Sequence, residues 1–283
     1  MIEILKKYYV IEIKDYTKYN EGIIFCVDGI YYWFLESKND EQFINELFLI
    51  CEDIKKCKIP IHDFVFNKDG KLLSDKYVLF KINTLICEID YKDVKSFINC
   101  KIDKYKEHYI SMNSFWEEKI DYLELQLSEL SANKLINNSF DYYVGISEIL
   151  TSFYRKNVFI DDKDIVLVHR CLNSLNTLDF YNPLNICFDY SYKDIASYIR
   201  LINDWNLLDE VLSNINDYSD KCYFFIRMCF PFQYFNEISD ILLNNKDNSN
   251  LVDILNNNGL YEEYLYKIEK MFGIYLFSWI KKE

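Results

Sequence analysis

Four residues near the middle of this chain have types and spacing that invite chemistry: His169, Cys171, Asn176 and Asp189. A thiol two residues from an imidazole becomes a nucleophile if the imidazole takes its proton. Without that help, a thiol with a pKa of about 8.5 stays mostly protonated at neutral pH and accepts hydrogen bonds poorly. Asn176 and Asp189 offer one amide and one carboxylate oxygen, hard donors of the kind Mg²⁺ takes. So few protein groups would leave substrate phosphates to complete its octahedron. The structural alternative is that Asn176 ties its loop together and Asp189 satisfies backbone amides at a turn. Between Asn176 and Asp189 runs Asp179-Phe-Tyr-Asn-Pro-Leu-Asn185, which carries two aromatic rings. It is either a Pro-fixed turn whose rings pack inward or a docking loop that offers them to a partner.

The elements around these residues follow from hydrophobic period. Residues 1 to about 85 read as strands. GIIFCV and IYYWFL flank Asp28-Gly29, a dipeptide that tolerates the positive φ of a tight hairpin turn. EQFINELFLICEDI, after the capping candidate Asn39-Asp40, has helical spacing and ends before Pro60. IHDFVF, the turn Asn67-Lys-Asp-Gly70 and DKYVLFKI suggest two more strands. From about residue 88 the period is helical, through DVKSFINCKIDKY, SFWEEKIDYLELQLSEL and FDYYVGISEILTSFY. Two short apolar runs, Asp164–Val168 and Asn185–Phe188, interrupt it and present the candidate residues, and helices resume at YKDIASYIRLI. The expected organisation is a mainly-β lobe over 1–86 and a mainly-α lobe over 87–283 with an internal hairpin loop at 164–189.

Composition narrows the function classes. The 283 residues carry 32 Lys+Arg against 45 Asp+Glu, a formal net charge of −13, and are 50% hydrophobic and 18% aromatic. That is core-forming material, and with no basic stripe it argues against nucleic acid as a partner. No apolar run approaches the roughly 18 residues of a membrane span, and the first residues do not resemble a signal peptide. Nine Cys without a CxxC pair read as reduced, buried thiols of an intracellular protein.

Val168-His-Arg-Cys-Leu-Asn-Ser-Leu-Asn176 resembles the HxDxxxxN loop of small-molecule kinases, Asp189 resembles their metal-binding acid, and Asp194-Ile-Ala196 resembles the start of their next helix. Further segments in order along the chain resemble the kinase-like spore coat proteins of the CotS/YutH type, most of all the YutH members. These are Asn67–Gly70, Phe140-Asp-Tyr-Tyr-Val-Gly145, Val168–Arg170, Asp179–Asn185, Lys193–Ile199, Phe230-Pro-Phe-Gln-Tyr-Phe235 after Arg227, and the tail YEEYLYKIEKMFGIYLFSWI. The resemblance implies an α+β, protein-kinase-like fold of the aminoglycoside phosphotransferase type, with a small β lobe and a larger helical lobe.

The chemistry implied by that resemblance is incomplete here. Cys171 stands where the family has its catalytic Asp, His169 is expected to pack inward, and Cys171 is then expected to be a buried, quiet thiol. The first hairpin has only Gly22 where a glycine-rich phosphate cover belongs, and Leu35 or Glu36 stands near the place of the phosphate-binding Lys. Glu46 fits the Lys-pairing Glu but has no obvious Lys. No catalytic or cofactor-binding residue is therefore expected, with Glu46, Asn176 and Asp189 as residual cofactor candidates and Asp189 with Asn176 as residual metal ligands. The reading is a pseudokinase with no cofactor, associated with other coat proteins, in the spore coat or mother-cell cytoplasm. One alternative is a working small-molecule or protein kinase using ATP and Mg²⁺, with Asp179 as base and Lys38 as phosphate anchor. Another is an unrelated acidic binding or immunity-type protein whose charge steers a basic target.

Overall fold

The computed structural model describes residues 1–84, 86–102, 112–130, 133–161, 164–244 and 246–280. The chain forms two compact units, Met1–Tyr109 with Ile165–Ser191, and Ile110–Asp164 with Tyr192–Glu283. The first is β-rich. It opens with helix α1 (Ile2–Tyr8), then strands β1 (Tyr16–Tyr19), β2 (Gly22–Val27) and β3 (Ile30–Glu36), helix α2 (Glu41–Lys56), and strands β4 (Asp63–Phe64), β5 (Leu73–Ser74) and β6 (Tyr77–Lys81). Helix α3 (Tyr91–Ile98) follows, and after the excursion into the second unit come β7 (Ile165–His169), helix α6 (Thr177–Phe180), a 3₁₀ turn at Pro183–Asn185 and β8 (Ile186–Tyr190). The main sheet is antiparallel, in the order β1-β2-β3-β6-β4 with β5 on β6, while β7 and β8 form a separate antiparallel pair.

Local sequence explains most of these elements. Asp28 and Gly29 have φ of 51° and 78°, and this two-residue turn pairs Val27 with Ile30. Asp40 caps α2 by accepting the Phe43 N–H, and Lys58 turns the chain out of that helix with φ 62°. Asp90 and Asp93 form a capping box on α3.

Three expectations for this unit change. The first residues are helical rather than extended, because Leu5 and Tyr9 pack with Ile23, Phe25, Phe34, Tyr77 and Leu79 on one face of the sheet. Burying one such aliphatic side chain is worth about 1.5–3 kcal/mol, more than short-range strand preference can oppose. The turn at Asn67–Gly70 is present, closed by the Gly70 N–H on the Asn67 carbonyl with Asn67 Oδ1 accepting the N–H groups of Asp69 and Lys71, but the chain adds a second tight turn at Asp75-Lys76, between β5 and β6. The cysteines are not all reduced and buried. Cys57, just past α2, is disulfide-bonded to Cys100, just past α3, with Cα atoms 5.8 Å apart, and Cys26, Cys87 and Cys171 are exposed. A sequence separation of 43 residues gives no local signal for such a pair. The helical reading of DVKSFINCKIDKY holds only to Ile98, and its end lies outside the described residues.

The second unit is helical: α4 (Met112–Leu130), α5 (Lys134–Asn157), α7 (Tyr192–Ile202), α8 (Trp205–Ser213), α9 (Tyr218–Cys229), α10 (Phe232–Asn244), α11 (Ser249–Asn256) and α12 (Asn258–Phe272). α9 is buried from Cys222 to Cys229, all but its first turn, and packs against α5, α7 and α12. Gly273 ends α12 in the left-handed conformation. The buried Glu269 carboxylate then accepts the N–H groups of Leu276 and Phe277, which fastens the tail.

Candidate functional site

The candidate residues sit on the β7–β8 pair and the segment joining it. His169 ends β7 fully buried, its ring between Phe97 and Phe180 with both centroids 4.3 Å away, and its Nε2 bonds the Phe180 carbonyl at 2.7 Å. It packs inward, as expected for a residue that shapes the loop. Cys171 does not. It is exposed, not buried, because Arg170 and Cys171 have left the strand and Asn185 clasps the Cys171 backbone, accepting its N–H and donating to its carbonyl. The thiol itself donates to Asn173 Oδ1. His169 faces Phe180 and Phe97, so the imidazole is engaged in packing.

Asn176 Oδ1 accepts the Leu178 N–H and so caps α6. The backbone around it pairs with the segment before α3: Ile89 N–H donates to Leu175, Thr177 N–H donates to Cys87, and Cys87 N–H donates to the Thr177 hydroxyl. Asp189 is buried in β8, with Oδ1 accepting the Tyr190 N–H at 2.7 Å. Asn176 Oδ1 and Asp189 Oδ1 are thus each engaged by a backbone N–H. Among the described residues, no three His, Cys, Asp or Glu side chains gather in a metal-binding cluster.

Asp179 is the centre of polar contact. It accepts hydrogen bonds from Tyr19 at 2.7 Å, Ser174 at 2.7 Å and Asn20 at 3.3 Å. Tyr19 ends β1 and Asn20 opens the turn into β2, where it takes a φ of 48°. The first hairpin is thus tied directly to the loop that carries the candidate residues. Burial, and then the hydrogen bond to the Asp179 carboxylate, pushes the Tyr19 phenol up to about 12, so it stays a donor.

Beneath this tie lies Trp33 of β3, 1% exposed, in edge contact with Tyr19 at 5.8 Å and His62 at 6.5 Å. His62 is fully buried, its Nε2 bonded to the Leu178 carbonyl at 3.0 Å and its Nδ1 facing the Asn83 N–H, while its own N–H donates to Tyr181. Desolvation lowers its pKa to about 4, which keeps the ring neutral. Tyr19, Trp33 and His62 were not singled out from the sequence. A Trp in an aromatic strand and a His two residues past a Pro carry no motif.

The tie leaves no spare room at Gly22. A Cβ there would lie 2.6 Å from the Phe34 carbonyl oxygen, 2.8 Å from Leu35 Cβ and 2.8 Å from Trp33 Nε1. Gly22→Ala is expected to destabilise the protein by about 1–3 kcal/mol, since the clash is with backbone and a packed ring. Chemical unfolding will read it as a lower midpoint at unchanged slope; a midpoint equal to wild type would mean the hairpin is not packed in this way.

The remaining candidates lie elsewhere. Glu46 of α2 accepts from Gln42 one turn earlier. Leu35 is buried, and Glu36 pairs with Lys76 at 2.8 Å. Lys38 is exposed and borders a cavity of about 620 Å³ with Glu3, Lys18, Glu21 and Glu36. The docking-loop reading of Asp179–Asn185 fails on its own terms: Phe180 is fully buried and Tyr181 nearly so, with the Tyr181 hydroxyl donating to Asp93. Phe97 of α3 and His169 of β7 pack on the Phe180 ring, and Phe180 in turn packs edge-on against Tyr181 at 5.0 Å, which is why these rings face inward.

No family model matches the sequence, and no curated protein matches it. Solved structures do match the fold. An aminoglycoside phosphotransferase from Alicyclobacillus acidocaldarius superposes with a TM-score of 0.66 at 9% identity, covering 95% of each chain. A spectinomycin phosphotransferase solved with ADP and spectinomycin gives 0.63 at 12% identity over 96% of each chain. The choline kinase LicA from Streptococcus pneumoniae gives 0.53 at 9% identity over 97% of each. At such identities the likeness is one of fold. The chain has the protein-kinase-like fold of the aminoglycoside phosphotransferases, with a small antiparallel-sheet lobe and a larger helical lobe. Among the described residues, no helix is long and apolar enough to cross a membrane.

Proposed function

We propose that this protein is a catalytically inactive, kinase-like component that works through its surfaces in a spore coat, as its resemblance to the CotS/YutH type implies. The observation that carries the reading is the hydrogen-bonded tie from Tyr19 and Asn20 to Asp179, with Trp33 packed under it. Phosphoryl transfer is almost entirely positioning and charge neutralisation. Here the first hairpin is held by a carboxylate instead of being open to phosphates, and the strand beside it presents Trp33 and Leu35 rather than a lysine. Cys171 in place of an aspartate removes the group that would take the acceptor's proton. The reading includes no bound ATP or Mg²⁺, no nucleic-acid partner, other coat proteins as partners, and a mother-cell or spore-coat location. It also keeps residues 1–86 and 87–283 as its two lobes.

The competing reading is an active kinase using ATP and Mg²⁺, favoured by the names of the solved proteins that share the fold. One experiment separates them. With 5 mM Mg-ATP, the melting temperature is expected to match that with Mg²⁺ alone, and no label is expected to leave γ-labelled ATP. A ligand present at 100 times its dissociation constant would add about 2.7 kcal/mol, so a magnesium-dependent shift of several degrees would overturn the inactive reading.

A further inference from the structure

The helical unit contains a cavity of about 240 Å³ bordered by Tyr143 of α5, Arg200 of α7, Gln233 and Tyr234 of α10, Asp253 of α11 and Tyr261 of α12. Its two charged side chains have opposite signs and do not meet: among the described residues, neither Arg200 nor Asp253 enters an ion pair within 4.0 Å. The sequence writes most of its positive charge as lysine and has only four arginines, Arg155, Arg170, Arg200 and Arg227. Two of them flank the ring of Phe232, Arg227 at 4.5 Å and Arg200 at 5.3 Å. Arg227 is 5% exposed, and its Nε and Nη1 have no acceptor. Of the two, Arg200 borders the cavity, and neither guanidinium is neutralised by a carboxylate among the described residues.

Arg200 is held in one orientation. Its Nη1 donates to the carbonyls of Arg227 at 3.1 Å and Phe230 at 3.0 Å, at the C-terminal end of α9. Both Nη1 hydrogens are used in this way, which leaves the Nε–Nη2 edge, the fork that grips an oxyanion with two parallel bonds. The tyrosines are fixed too. Tyr143 donates to Asn258, Tyr234 bonds Ser139, and Tyr261 donates to the Cys229 carbonyl. Their rings stack on one another, Tyr143 on Tyr234 with centroids 3.7 Å apart and Tyr143 beside Tyr261 at 6.0 Å, so they form a rigid wall of the cavity.

We propose that this cavity binds a free α-amino acid, its carboxylate on the Nε–Nη2 edge of Arg200 and its ammonium toward Asp253. A lone oxyanion would leave Asp253 facing negative charge, and a lone amine would leave Arg200 unmatched, whereas a zwitterion satisfies both. The volume is below the roughly 300–1,000 Å³ of pockets for drug-sized ligands, which suits a molecule of this size. The site uses only residues of the helical unit, so it stands whether or not the β-rich unit binds nucleotide.

The test is calorimetric titration of the full chain with each of the twenty proteinogenic amino acids, alongside acetate, methylamine and inorganic phosphate. At least one amino acid is expected to bind saturably, at least about tenfold more tightly than the singly charged probes, as one charge-assisted hydrogen bond is worth that much. Asp253 is exposed, so Asp253→Asn is expected to keep the wild-type melting temperature without ligand and to weaken amino-acid binding at least about tenfold. Failure of all twenty to bind, phosphate or acetate binding as tightly as the best of them, or an unchanged affinity in Asp253→Asn would each overturn the proposal.

Discussion

Trp33→Ala is expected to cost the protein about 3–5 kcal/mol, the range for removing a large aromatic from a packed interior. The indole is 1% exposed and lies against Tyr19, His62 and the backbone at Gly22. Its removal leaves a void under the one hairpin that is tied to Asp179, where the sheet cannot easily collapse because Gly22 is already in contact with Phe34 and Leu35. One feature works in the opposite direction. Trp33 Nε1 is buried without an acceptor, a condition that costs about 1–3 kcal/mol in general. Trp33→Phe keeps most of the ring volume and removes that orphan donor, so its cost should stay below about 1.5 kcal/mol. Paired urea titrations decide the matter. A large loss for alanine with a small one for phenylalanine identifies filling as the role, and equal losses in both would mean the indole N–H has a partner that matters.

Stability should also fall as the pH drops, and His62 should be responsible for a large part of the fall. Its folded pKa is about 4, against an ordinary value of 6.5, because burial penalises the imidazolium more than the Leu178 carbonyl favours it. The unfolded chain therefore binds a proton that the folded chain refuses anywhere between those two values. Full stability from this residue is present above pH 6.5, is lost as pH falls toward 4, and changes little below that. At 1.36 kcal/mol per pH unit the loss is about 2 kcal/mol by pH 5 and about 3 kcal/mol by pH 4. Other groups titrate over the same range, so the comparison is with His62→Gln, whose amide can still donate to Leu178 but does not ionise. Wild type should lose about 2 kcal/mol more than the variant between pH 7.5 and pH 5. Parallel pH profiles for the two proteins would show that the ring is solvated.

Acid sensitivity and the Trp33 packing meet at the same place, since His62 joins the segment before β4 to α6 through both its ring and its backbone. The side chains that fill the region beneath the first hairpin therefore contribute to the stability of the β-rich unit.

Much of the fold was legible without coordinates. Asp28-Gly29 set the β2–β3 hairpin, Asp40 and Pro60 bracketed α2, and the apolar runs at Asp164–Val168 and Asn185–Phe188 gave the β7–β8 pair, because each depends on forces that act within a few residues: turn strain, capping and periodicity. The inward packing of His169 was implied by the resemblance of its loop to those of kinases. What only the tertiary structure decided involves partners distant in sequence. Ile2–Tyr8 became helix because a sheet face nearby needed cover, and Cys57 pairs with Cys100 across a separation of 43 residues. Cys171 was exposed by the clasp from Asn185, and Phe180 and Tyr181 were drawn inward by α3. The tie from Tyr19 to Asp179 spans 160 residues, and no local preference encodes it. Short-range energetics wrote the elements into the sequence, while the contents of the candidate site were chosen by contacts that exist only after the chain has folded back on itself.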